Sequence, residues 1–136
     1  MQEFIGAWRL VSFEELQEDG NLLYPYGKDA VGLLLYDITG KMSVQIMKRD
    51  RPDNSSDDLN NISSEEIKSV VEGFTAFFGT YEINPPEKTI IHHVEGHLLP
   101  NSVGKSLKRT FEFSGDKLIL KPTGSRRVVW ERIVQK

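Results

Sequence analysis

The chain has 136 residues, with 17 Lys and Arg against 20 Asp and Glu, a formal net charge of −3 and no cysteine. That excludes disulfides, thiolate chemistry and cysteine-ligated zinc, and it leaves no global positive field to attract nucleic acid. The length suits one domain, 1–136, able to bury about two-thirds of its unfolded surface. The longest apolar stretch, Val31 to Tyr36, is too short to span a bilayer. No apolar segment follows a basic start at the N-terminus, so no signal peptide is read and a cytoplasmic protein is expected.

Taken in chain order, the sequence reads as short strands separated by turn chemistry. The first strand covers 7–16 and opens on Gly6-Ala7-Trp8. Asp19-Gly20-Asn21 is a hairpin signal, after which Leu22-Leu23-Tyr24 forms a short extra strand. Tyr24-Pro25-Tyr26-Gly27 is a loop, because Pro25 lacks an N–H and Gly27 permits positive φ. Strands at 31–36 and 41–48 flank the turn Asp37-Ile38-Thr39-Gly40. Residues 48–61 are rich in Asp, Asn, Ser and Arg and read as a solvated loop.

Ser63-Ser64-Glu65-Glu66 is a capping-box signature. Ile67, Val70, Val71, Phe74, Phe77 and Phe78 follow at helical spacing, and Gly79 is read as the stop. One amphipathic helix is therefore expected over 64–77, its apolar face packed on the barrel wall or across an open end. Further strands follow at 78–84, 89–99, 105–113, 117–121 and 126–134. Asn84-Pro85-Pro86-Glu87-Lys88 and Ser114-Gly115-Asp116-Lys117 supply turns between them. The fold class is all-β, an eight- to nine-stranded antiparallel up-and-down barrel with one inserted helix.

Six ordered segments carry a family resemblance: Gly6-Ala7-Trp8-Arg9-Leu10-Val11-Ser12-Phe13, Tyr24-Pro25-Tyr26-Gly27-Lys28-Asp29-Ala30-Val31-Gly32, Gly40-Lys41-Met42-Ser43-Val44-Gln45, Phe78-Gly79-Thr80-Tyr81-Glu82, His92-His93-Val94-Glu95-Gly96 and Val128-Val129-Trp130-Glu131-Arg132. Together they resemble the lipocalin-like domain family of the calycin group. The resemblance covers nearly the whole chain and implies a β-barrel around a small-molecule cavity. Members of that family mostly lack an assigned activity, so the fold transfers more readily than the function. Independently of the family, closing an up-and-down barrel pairs its first and last strands. That places Trp8 beside Arg132, where a guanidinium over an indole is favourable. Gly6, Trp8 and Arg132 are accordingly assigned structural roles at a closed end.

The segment His92-His93-Val94-Glu95-Gly96-His97 holds every histidine. By strict alternation His93, Glu95 and His97 share one strand face and His92 the other. His93 and His97 would start about 13 Å apart, too far to chelate one ion, so no metal is expected. In 107–113, alternation turns Leu107, Arg109, Phe111 and Phe113 inward, and an internal guanidinium needs an anion. Two registers then stand open. A turn about Ser102 sets Glu95 opposite Arg109, with His93 opposite Phe111. The register that apolarity favours turns Ile90, His92 and Val94 inward and lets His92 pair with Tyr81 across the preceding hairpin. A one-residue slip exchanges the faces, and the sequence does not choose.

Two functions follow. The first is binding of a small, largely apolar or amphipathic molecule, with ligand contacts from Tyr36, Tyr81, His92, His93, Glu95, Arg109, Phe111 and Trp130. Met42, Val44 and Phe113 add to the lining, and Phe74 and Phe77 gate the mouth. The second is a cofactor-free isomerase, cyclase or hydratase using His92, His93, Glu95 and Arg109 to move a proton and stabilise an enolate-like charge. No nucleophile elbow and no phosphate-cradling loop occur. No cofactor, nucleic acid or membrane partner is expected, and a homodimer stays open.

Overall fold

The computed structural model describes residues 2–122 and 124–134. Nine strands form one antiparallel sheet: β1 (Gly6–Leu16), β2 (Leu22–Leu23), β3 (Val31–Tyr36), β4 (Lys41–Met47), β5 (Phe74–Asn84), β6 (Thr89–His97), β7 (Ser106–Ser114), β8 (Lys117–Lys121) and β9 (Arg126–Arg132). The spatial order is β2-β1-β3-β4-β5-β6-β7-β8-β9, and β1 also pairs with β9. That last pairing closes eight strands into a barrel and leaves β2 as a short extension beside the far end of β1.

Alternation sets the inside of the barrel. Met42, Val44 and Ile46 are buried on β4, and Leu118 and Leu120 on β8, while Lys41, Gln45 and Lys121 between and beyond them are exposed. Two bulges interrupt this period. In β1 the register slips between Leu10 and Ser12, which leaves Val11 outside and turns Phe13 inward. In β6, Phe78 pairs with Gly96 but Gly79 pairs with Val94, so Glu95 is the extra residue. Gly79 is required at that bulge, because a Cβ there would lie 1.9 Å from the His93 carbonyl oxygen.

The helix is shorter than its apolar spacing predicts. It spans α1 (Ser64–Glu72), is capped reciprocally by Ser63 and Glu66, and stops at Gly73. The expected residues 74–77 are strand instead: Phe74 opposes Met47 and Phe77 opposes Val44. A run of Phe, Thr, Ala and Phe satisfies either period, and pairing with the full length of β4 decides it. α1 contributes no buried residue, leaves Ile67 and Val71 substantially exposed, and lends no residue to the lining of the barrel's cavity. It does not close the barrel's mouth.

Aromatic side chains fill one pole. Phe4, in the turn before β1, is 1% exposed and meets Tyr36, Phe111 and Phe113 edge-on with centroids 5.6, 4.9 and 4.9 Å away. Trp8 Nε1 donates to the Phe4 carbonyl at 3.0 Å. Trp8 lies opposite Arg132, whose guanidinium sits 4.3 Å from the indole centroid. Arg132 also donates to the carbonyls of Ile5, at 2.9 Å, and Glu3, which ties the entering chain across this pole. Gly6 has φ +132°, and a Cβ on it would press on the Arg132 guanidinium at 3.1 Å.

Candidate functional site

The opposite half of the barrel is hollow. A cavity of about 200 Å3 lies between the walls and is reached at the pole where β4 and β6 end and β5 and β9 begin. Leu34, Val44, Ile46, Leu120 and Val128 form its aliphatic wall, with the rings of Phe13, Tyr26, Phe77 and Trp130 around them. Arg109, His92 and His97 reach it from β7 and β6, and Arg126 lies at the rim. A wider surface cleft of about 740 Å3, between residues 48–57 and α1, carries both charge signs, and its Arg51 donates to the Val70 carbonyl at 3.2 Å.

His92 is 2% exposed, flanked on the same face of β6 by buried Ile90 and Val94. It pairs in register with Tyr81 on β5 and Leu107 on β7. Its Nε2 lies 2.7 Å from the hydroxyl of Tyr36, which is also fully buried. Burial, with Arg109 and then His93 adding to it, pushes the His92 pKa down to about 3, so the ring is neutral. Burial raises the Tyr36 pKa, so the phenol keeps its proton. Fewest groups are left unmet if Tyr36 donates to Nε2, which puts the imidazole proton on Nδ1. His92 Nδ1 is buried and has no partner among the described residues.

Arg109 lies on the inner face of β7, opposite Ile90 and diagonal to His92. Its guanidinium stands 6.0 Å from the Phe77 ring centroid. Among the described residues it makes no hydrogen bond or ion pair, and no carboxylate among them lines the cavity. Burial lowers its pKa, with Tyr36 opposing that shift.

The register formed is therefore the one in which His92 is internal. Glu95 does not oppose Arg109: it is exposed and meets Lys41 Nζ at 3.2 Å on the outer wall. His93 also faces outward, with Nδ1 2.8 Å from Ser106 Oγ and Nε2 2.6 Å from Glu82 Oε1. That Ser–His–Glu relay lies on the outer wall, away from the cavity. Ser106 bonds the nitrogen that faces the acid in serine hydrolases, and Glu82 the other, the reverse of their arrangement. Tyr81 spends its hydroxyl on the Asp37 carbonyl at 2.8 Å, and Phe111 packs with Phe4 toward the closed pole. Of the residues predicted from sequence, His92, Arg109, Val44, Phe77 and Trp130 meet at the cavity, with Tyr36 behind His92.

Two lining residues reach the cavity by a route that sequence reasoning misses. Phe77 was expected on a helix, and His97 on the face of His93. The bulge at Glu95 reverses the parity of β6, so His97 turns inward and stacks on Phe77 with centroids 5.3 Å apart and planes 5° from parallel. Its Nδ1 accepts from the Leu99 N–H at 2.9 Å, and burial lowers its pKa. The available signal was the glycine pair Gly79 and Gly96 inside two strand patterns, where a bulge or close backbone approach is the usual cause. Among the described residues no cluster of three His, Asp or Glu could hold a metal ion, and no helix is long and apolar enough to cross a membrane.

The model of the lipocalin-like domain family matches residues 5–133, which takes in every strand of the barrel. The chain belongs to this family. Among solved structures, this lipocalin-like domain is similar to a DUF4847 family protein from Bacteroides vulgatus, with a TM-score of 0.51 and 12% identity. The match covers 98% of this chain and 96% of that one. At that identity the likeness concerns the fold alone. No curated protein matches the chain.

Proposed function

We propose that this lipocalin-like domain binds a small, largely apolar molecule inside the barrel. The observation that carries the reading is the cavity of about 200 Å3, walled by aliphatic and aromatic side chains and reached by only a few polar groups. Ligand sites have this composition: apolar area supplies affinity, and sparse polar groups fix orientation. A cavity of about 150 Å3 accommodates benzene, so the occupant is the size of one ring with a short substituent.

Binding is favoured over proton-transfer catalysis by the same geometry. Acid–base chemistry near neutral pH needs a group whose pKa lies near the working pH. His92 is held far below it, and His93 and Glu95 lie outside the barrel. Native mass spectrometry of protein isolated from its own cells tests the reading, together with Trp130 fluorescence during titration with ring-sized apolar probes. A bound species of low mass and saturable quenching are expected. An empty protein that no probe perturbs would rule the reading out.

A further inference from the structure

We infer that the occupant of the cavity is an organic monoanion, an apolar carboxylic acid whose carboxylate is held by the Arg109 guanidinium. The inference rests on the binding function proposed above and specifies its ligand. Arg109 is half-buried and turned into the barrel by the alternation of β7, with Leu107 lining the same cavity and Phe111 on the same face. Among the described residues its guanidinium meets the Phe77 ring face, a weak partner for a cation. A guanidinium withdrawn from water without an anion is unfavourable, and the fold supplies no anion: no carboxylate lines this cavity among the described residues. The charged side chains that do reach it, Arg109 and Arg126, are both cationic, and Arg126 is engaged with Glu15 at 2.8 Å.

A second donor sits beside Arg109. His92 Nδ1 is buried without a partner among the described residues, while its Nε2 is bonded to Tyr36. With the proton on Nδ1, His92 offers an N–H on the strand next to Arg109 and diagonal to it. One carboxylate accepts from both, which meets two unsatisfied donors with one group. Tyr36 fixes the tautomer that makes His92 a donor, so it acts as a positioning residue. One guanidinium and one neutral N–H suit a monoanion; a phosphate dianion calls for more donors than this wall holds. The volume fits an acid of about eight to ten non-hydrogen atoms, such as a phenyl-substituted short acid or a medium-chain acid.

The test is calorimetric titration of the full chain with phenylacetate and octanoate, each beside its primary amide and its alcohol. Wild type is expected to bind the acids about ten- to a hundredfold more tightly than the matched neutral compounds. Arg109→Met is expected to bind acid and amide alike, and Arg109→Gln, which keeps a polar head, to behave the same way. Both variants are expected to melt no lower than wild type without ligand, since each removes an unpaired charge, and to lose the rise in melting temperature that the acids give wild type. Amides and alcohols binding wild type as tightly as the acids would overturn the anion inference and leave apolar binding standing. Silence from every probe, acid and neutral, would overturn both. A clear fall in the melting temperature of Arg109→Met and Arg109→Gln, with acid preference retained, would assign Arg109 to the scaffold instead.

Discussion

The buried His92 makes stability depend on acid in a calculable way. Its folded-state pKa is depressed from 6.5 to about 3, so the unfolded chain takes up this proton first as pH falls. Its contribution is fully present above the unfolded value and is lost progressively below it, at about 1.4 kcal/mol per pH unit. Between about pH 7 and about pH 5 the loss integrates to about 2 kcal/mol, a large share of a typical total of about 5–15 kcal/mol. His92→Gln isolates the effect. Its side-chain carbonyl can still accept from the Tyr36 hydroxyl, yet it carries no titratable proton. Urea unfolding of both proteins at a series of pH values gives two curves in which the surface carboxylates contribute equally. Their difference should change by about 2 kcal/mol across that interval, the wild type losing more. Curves that stay parallel would show that His92 protonates in the folded protein, and the account of a dry, neutral imidazole would fail.

Other perturbations separate the scaffold from the cavity. Trp8→Ala removes a ring that is 1% exposed, together with its hydrogen bond to Phe4 and its contact with Arg132. A loss of about 3–5 kcal/mol in denaturant unfolding is expected, and a near-neutral result would refute the plug at the closed pole. Gly79→Ala drives a methyl to within 1.9 Å of the His93 carbonyl oxygen, so β5 and β6 must part at the bulge. That should cost about 1–3 kcal/mol or more and shift the amide resonances of residues 93–97. Glu95→Gln breaks only an exposed pair with Lys41. Stability should move by no more than about 0.5 kcal/mol and probe binding not at all, whereas weakened binding would return Glu95 to the site.

Turn chemistry and alternation make most of the barrel legible in the sequence. Pro25, Gly40, Pro85 and Gly115 mark breaks that the backbone then takes, and the inward face of β7 follows from Leu107, Phe111 and Phe113. The misreadings share a cause. A period argument holds only while the period runs unbroken, and the bulge at Glu95 sends His97 to the face opposite the one that counting assigns. The helix end fails for a related reason: Phe74 to Phe78 satisfies a helical and a strand period at once, and only pairing with β4, far along the chain, separates them. The choice between registers of β6 and β7 likewise turned on where the pairing stops. The chain from Glu95 to Gly104 leaves β7 at Val94, whose N–H bonds to the Lys105 carbonyl at 2.9 Å. A hairpin turned tightly about Ser102 would have kept those residues paired and carried Glu95 inside.

The pairing of Trp8 with Arg132 has a practical consequence. It sets the start of β1 and the end of β9 side by side at the filled pole, on the far side of the molecule from the opening into the cavity. A reporter fused at either end emerges there and leaves solute entry unobstructed. A short linker joining those ends, with new termini cut in the exposed turn at Ile38 or Gly115, would preserve every strand neighbour in the barrel. Such a rewired chain should keep the cavity intact, which makes this pole the natural place to couple the barrel to a surface, a fluorophore or a second protein.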